Sequence, residues 1–153
     1  MASPTREQLL NLIKTNVQKF NEVKKSNPNL SIDLSGADLR KAKLNQAELG
    51  KVNLSGADLR DVDLSQAQIA NANLEDADLS GATIEAANLH RAKMKGASLK
   101  GSKLGDLSKD SMRMCLHPAS FENVEYDKEH LEAMLRVLNL NKSWLIKYSL
   151  EPK

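Results

Sequence analysis

Aromatic side chains are nearly missing from this chain, with two Phe, two Tyr and one Trp among 153 residues. A core of this size must then be built from aliphatic residues. A single cysteine, Cys115, excludes an internal disulfide. Neither charge sign dominates: 22 Lys and Arg stand against 20 Asp and Glu, a net +2. So small an excess does not point to nucleic acid or to an acidic surface as partner. No apolar run approaches the ~20 residues of a membrane span. Residues Met1 to Glu7 lack the apolar stretch of a secretory signal, so a cytoplasmic location is the expectation. Proline is absent between Pro28 and Pro118. A long segment therefore keeps every backbone N–H available for hydrogen bonding.

What fills that segment is a repeat of five. Large apolar residues fall at Leu34, Leu39, Leu44, Leu49, Leu54, Leu59, Leu64, Ile69, Leu74, Leu79, Ile84, Leu89, Met94, Leu99 and Leu104, fifteen consecutive units without a miss. Two residues before each of these centres stands a small or β-branched residue, alanine in eleven of the fifteen. Period five suits neither regular element. On a helix it advances about 140° beyond a full turn, so no stripe forms. On a continuous strand, positions five apart face opposite sides. The pattern is consistent only with a chain that turns once per unit. Three extended residues point in, out and in, and two more make a corner. All seven glycines occupy corner positions, where positive φ is tolerated.

Residues 33–51 shifted by twenty repeat five identities outside the apolar positions: Ser35/Ser55, Gly36/Gly56, Asp38/Asp58, Arg40/Arg60 and Gln46/Gln66. A shift of fifteen repeats none, so four units close a coil of square section. These residues resemble the pentapeptide-repeat family, with its A(D/N)LXX pattern. The family's preferred acidic or amide residue stands at Asp38, Asn53, Asp58, Asn73, Asp78 and Asn88. The resemblance, tight over residues 32–106, implies a mainly β fold: a right-handed quadrilateral β-helix of four to five coils with N-terminal and C-terminal α-helical caps. Lys43, Lys93 and Lys103 depart from the pattern at the outward position, which alters surface charge and leaves the fold intact.

One domain is expected over residues 1–153. A helical cap occupies 1–28, the β-helix 29–128 with an irregular segment at 107–118, and a C-terminal helical segment 129–153. The irregularity is predicted because Lys109 falls on a centre, where an unpaired ammonium would be costly. His117-Pro118 then adds two residues, and the pattern returns with Phe121 and Tyr126 as centres. A solenoid exposes core and strand edges at its ends, so caps are required. Residues 4–24 read as one helix with Leu9, Ile13, Val17 and Phe20 on one face. Thr5-Arg6-Glu7-Gln8 reads as its capping box. At the other end, helices near 128–138 and 142–148 carry Leu131, Met134, Leu135, Leu138, Trp144, Leu145 and Tyr148. These form either a lid over the last coil or a homodimer interface. Dimerisation through C-terminal elements is also what the resemblance implies.

Candidates for chemistry are few. His90, His117 and His130 share no metal-ligand spacing, Cys115 lies in the irregular segment, and the glycines follow the corners rather than a phosphate-binding loop. No catalytic, metal or cofactor residue is assigned and no cofactor is expected. Charge is banded instead. Seven acids between Ala57 and Glu85 face Arg60 alone, whereas Arg91, Lys93, Lys95, Lys100 and Lys103 include no acid between them. That basic band is the candidate surface for an unknown protein partner. Aspartates 38, 58 and 78 are expected to form a column, flanked by Arg40, Arg60 and Lys100, that neutralises itself. The expected function is a non-catalytic interaction or scaffold module. The alternative implied by some relatives, a duplex-DNA mimic that binds and protects type II topoisomerase (gyrase), is disfavoured by short length and the lack of net negative charge.

Overall fold

A computed structural model of the chain describes residues 3–104. The expectations for residues 107–118, for Phe121 and Tyr126, and for the C-terminal helices lie outside the described residues.

The chain winds as a β-helix solenoid that turns after every unit. Each turn is closed by the centre's carbonyl, which accepts from the N–H three residues on, as Leu34 does from Ala37 at 3.1 Å and Leu64 from Ala67 at 3.0 Å. The residue two after the centre has positive φ in unit after unit. Nine of these residues are not glycine, among them Lys41 (58°), Gln46 (61°), Ala86 (54°) and Arg91 (55°). Gly36 and Gly56, also left-handed, have nothing near the place of a missing Cβ, so only their backbone angle asks for glycine. Gly81 differs, because the Asp61 carboxylate of the preceding coil lies over it where a side chain would begin.

Coils stack in a register of twenty. Parallel bridges join Asp33 to Asn53, Asn53 to Asn73 and Asn73 to Lys93, and the other three sides repeat the interval. Around each bridge the bonds are regular. Leu34 N–H donates to Asn53 C=O at 2.8 Å, Asn53 N–H donates to Ile32 C=O at 3.0 Å, and at the corner Gly36 N–H donates to Ser55 C=O at 2.8 Å. The ladder consists of isolated bridges, and no continuous strand occurs among the described residues. The reason is geometric: only the outward residue of each unit is flanked by inter-coil bonds before the chain turns away.

Inside, the centres from Leu34 to Leu104 are 0–3% exposed, and the alanines and valines two residues earlier are equally buried except for the half-buried Ala42. Small residues at that position leave the interior to four large aliphatic side chains per coil. Ser102 occupies it too, and its buried hydroxyl has no partner among the described residues.

The N-terminal cap is two helices, α1 (Arg6–Thr15) and α2 (Val17–Ser26), where one was expected. Thr5 and Gln8 form the anticipated capping box. Asn16 breaks the helix. It leaves helical angles (φ −153°), its N–H closes α1 onto Leu12 C=O, and its side chain caps α2 by accepting from Lys19 N–H at 2.9 Å. Leu9 and Ile13 of α1 and Phe20 of α2 all join the core, whereas Val17 stays half-buried.

The cap also stands in for a missing coil. Asn21 Oδ1 accepts from Glu48 N–H at 2.8 Å, replacing the carbonyl that every later coil finds in its predecessor, and Asn21 Nδ2 donates to Gln46 C=O at 3.0 Å. Arg6 Nη2 donates to Ser35 C=O at 2.7 Å and Lys24 Nζ donates to Gly50 C=O, taking the place of corner N–H groups. Lys24 is half-buried, and that burial pushes its ammonium below its ordinary pKa, with Lys51 acting in the same direction and Glu48 against it.

Two stability measurements follow. Leu64→Ala, truncating a 1% exposed centre, is expected to cost about 2–5 kcal/mol in denaturant unfolding; an unchanged midpoint would contradict its inward placement. Asn21→Ala removes a donor and an acceptor from the first coil's edge. It is expected to cost about 1–3 kcal/mol, with rapid hydrogen exchange appearing at the Glu48 amide. A Glu48 amide as protected as before would refute the substitution of side chain for coil.

Candidate interaction surface

The four sides are distinguished by their outward residues. The first carries Asp33, Asn53, Asn73 and Lys93, and the second Asp38, Asp58, Asp78 and Ser98. The third carries Lys43, Asp63, Thr83 and Lys103, and the fourth Glu48, Gln68 and Asn88. The five cations of the basic band are all exposed, yet they do not share a side. Arg91, Lys93 and Lys95 follow one another across the first side and its two corners. Lys100 stands at the corner between the second and third sides, and Lys103 on the third. A band in sequence becomes an arc over three of the four sides of one coil, because twenty residues make a full circuit. The candidate dimer or cap residues Leu131, Met134, Leu135, Leu138, Trp144, Leu145 and Tyr148 lie outside the described residues.

An organising interaction on these sides escapes a reading by pattern alone. The side-chain oxygen of each outward Asp or Asn accepts the N–H two residues on. Ser35 donates to Asp33 at 2.9 Å, Ser55 to Asn53 at 3.2 Å, Ser65 to Asp63 at 2.9 Å, Glu75 to Asn73 at 3.1 Å and His90 to Asn88 at 3.1 Å. That N–H opens the corner and has no bond to a neighbouring coil, so a short side chain with an acceptor oxygen satisfies it. The signal was present in the preference for Asp and Asn, and its meaning required the turn geometry.

The aspartate column assembles on the second side. Arg40 forks onto Asp38 at 2.9 and 2.7 Å and reaches Asp58 at 3.5 Å. Arg60 forks onto Asp58 at 2.8 and 2.6 Å and reaches Asp78 at 3.7 Å. The Arg40 side-chain bonds, then its backbone N–H, hold the Asp38 carboxyl well below the usual carboxylate range. Arg60 lowers the Asp58 carboxyl, chiefly through its side-chain bonds, while burial of Asp58 opposes it. Asp33 is lowered chiefly by its bonds from Ser35. Both guanidiniums are raised in return. The fourth side is an amide surface, with Asn88 Nδ2 on Gln68 Oε1 at 3.1 Å and Gln46 Nε2 on Gln66 Oε1 at 3.3 Å.

Among the described residues no group of His, Cys, Asp and Glu is arranged to hold a metal ion. His90 is half-buried and alone of the three histidines falls within them. No described helix is long and apolar enough to cross a membrane.

Comparison with known proteins places the repeat. The family described as pentapeptide repeats (8 copies) matches residues 32–68 and 63–101. No curated protein matches the sequence. Among solved structures, a pentapeptide repeat protein (Rfr23) from the cyanobacterium Cyanothece 51142 is 28% identical, over 63% of this chain and 51% of its own, with a TM-score of 0.38. The chain thus spans about half the length of that relative. A pentapeptide repeat protein from Nostoc Pcc 7120 is 29% identical over 63% of this chain and 78% of its own, TM-score 0.39. QnrB1, a plasmid-mediated fluoroquinolone resistance protein, is 20% identical over 71% of this chain and 66% of its own, TM-score 0.41.

Acid should loosen this surface first. The lowered carboxyls contribute stability that is complete above the ordinary aspartate pKa of about 3.9 and is lost as pH falls through their folded-state values. Thermal unfolding followed by circular dichroism is expected to show a steady Tm from pH 7 to about 5 and a decline below about 4. The decline should be shallower in Arg40→Gln/Arg60→Gln. Parallel acid limbs in the two proteins would show that the arginine column carries none of the linkage.

Proposed function

We propose that this chain, which belongs to the pentapeptide-repeat family through residues 32–101, is a non-catalytic protein-interaction module that presents the sides of a right-handed, four-sided β-helix to a protein partner. The observation that carries the reading is the row of Arg91, Lys93 and Lys95, three exposed cations crossing one side of a frame whose backbone is already hydrogen-bonded coil to coil. A frame ordered before binding loses little conformational entropy on association, so a modest charged face can act as a recognition surface.

A duplex-DNA mimic asks for a strongly negative rod. Residues 32–106 contain ten basic and eleven acidic residues. Three of those acids, Asp38, Asp58 and Asp78, are bridged by Arg40 and Arg60. The module reading uses the charge distribution as it stands.

The test is affinity capture from a lysate of the source cells with the wild type and with Arg91→Glu/Lys93→Glu, two exposed changes expected to leave Tm unchanged. A partner held by the wild type should fall at least tenfold in yield with the variant. Equal capture by both proteins, or capture of nothing by either, would reject the proposed surface.

A further inference from the structure

The first coil has an edge that its cap does not cover. In each later coil the third side is bonded to the coil before it. Asp63 N–H donates to Ala42 C=O at 3.0 Å, Asp63 C=O accepts from Leu44 N–H at 2.8 Å, and Ser65 C=O accepts from Gln46 N–H at 2.9 Å. The matching groups of the first coil are the N–H and C=O of Lys43 and the C=O of Asn45. No helix side chain reaches them, and among the described residues they have no hydrogen-bond partner. The cap reaches one amide of the fourth side through Asn21 and two corner carbonyls through Arg6 and Lys24, and no group of the third side.

A cleft of about 490 Å³ borders this open edge where α1 passes into α2. Val17 and Ala42, both half-buried and packed against the core, give it an apolar floor. Lys14, Lys41 and Lys43 line it, and none of its lining residues is acidic. The backbone edge of the second side has no cap partner either, but the Asp38 carboxylate and Arg40 guanidinium beside it are paired with each other, so it lacks the third side's excess of lysines. An unpaired backbone edge is a template for an added strand, with main-chain bonds giving affinity and the flanking side chains giving selectivity.

We propose that this edge docks an extended acidic peptide segment of a partner protein. The segment lies beside Lys43 as a short added strand and accepts its N–H. It donates to the carbonyls of Lys43 and Asn45, places an apolar side chain on Val17 and Ala42, and sets its carboxylates against the three lysines. The inference rests on the reading of the chain as an interaction module, but it uses a surface at the opposite end of the repeat from Arg91–Lys95, so the two fail separately.

The probe is a blocked octapeptide of alternating Glu and Val, compared with one of alternating Lys and Val, added to the full chain. Amide hydrogen exchange read by NMR reports the result. The Lys43 amide, open in the free protein, is expected to exchange at least tenfold more slowly with the Glu–Val peptide and at its original rate with the Lys–Val peptide. Lys41→Glu/Lys43→Glu, both at exposed positions, should abolish the protection at position 43 without changing Tm. Arg91→Glu/Lys93→Glu should retain it in full. An unprotected Lys43 amide at millimolar Glu–Val peptide overturns the proposal. So does equal protection by both peptides, or protection lost in the Arg91/Lys93 variant.

Discussion

A backbone that turns after every fifth residue must place one residue of each unit in the left-handed region, and here every second corner residue from Gly36 to Gly101 is there. For a residue with a side chain that conformation costs on the order of 1–2 kcal/mol, a cost repeated along the rod at lysines, glutamines, aspartates and an alanine. It persists because the same residue's N–H bonds to the next coil, as Lys41 does to Arg60 C=O at 2.9 Å and Gln66 to Glu85 C=O at 2.8 Å. Leaving the left-handed region would break the turn and the ladder together. The pitch of twenty, the inward columns and the lack of proline all descend from that coupling.

The coupling also explains why the end of the rod needs side chains to imitate a backbone. A coil satisfies its neighbour with groups on a fixed grid, so the side-chain carbonyl of Asn21 can replace a backbone carbonyl of a missing coil toward Glu48 N–H, while its Nδ2 holds the Gln46 carbonyl beside it. Arginine and lysine can replace only donors, and they are found on the corner carbonyls of Ser35 and Gly50. Phe20, with no counterpart inside the coils, is fully buried where the interior column ends. The cap is thus selected by two separate demands, an apolar plug and a set of polar surrogates.

Much of this was legible in the sequence because the repeat writes the same instruction many times. The leucine centres, the alanine columns and the register of twenty follow from spacing alone, and each agrees with the burial and the bridges. The break at Asn16 was not legible, because the apolar spacing of Leu9, Ile13 and Phe20 runs through it and one residue with a capping side chain decided the matter. The closeness of Asp61 to Gly81 depends on two residues twenty apart, which no local pattern displays. The basic band was visible as a run, but its wrapping around the coil was not, since a linear charge run carries no angle until the circuit is known. The candidate contacts from Leu131 to Tyr148 lie beyond the described residues.

The outward position has two competing uses, and the competition sorts the surface. An Asp or Asn there turns its oxygen onto its own corner N–H, as at Asp63 and Asn73, and so serves the turn. A lysine has no acceptor and cannot serve it. Lys43, Lys93 and Lys103 are outward residues of this kind, and all three are exposed. Two stand in the last described coil and one in the first, with the acids of the middle coils between them. Glu48, Gln68 and Thr83 also leave the corner N–H without a side-chain acceptor, so among the described residues the outward positions that forgo the turn bond run through the coils and differ in charge.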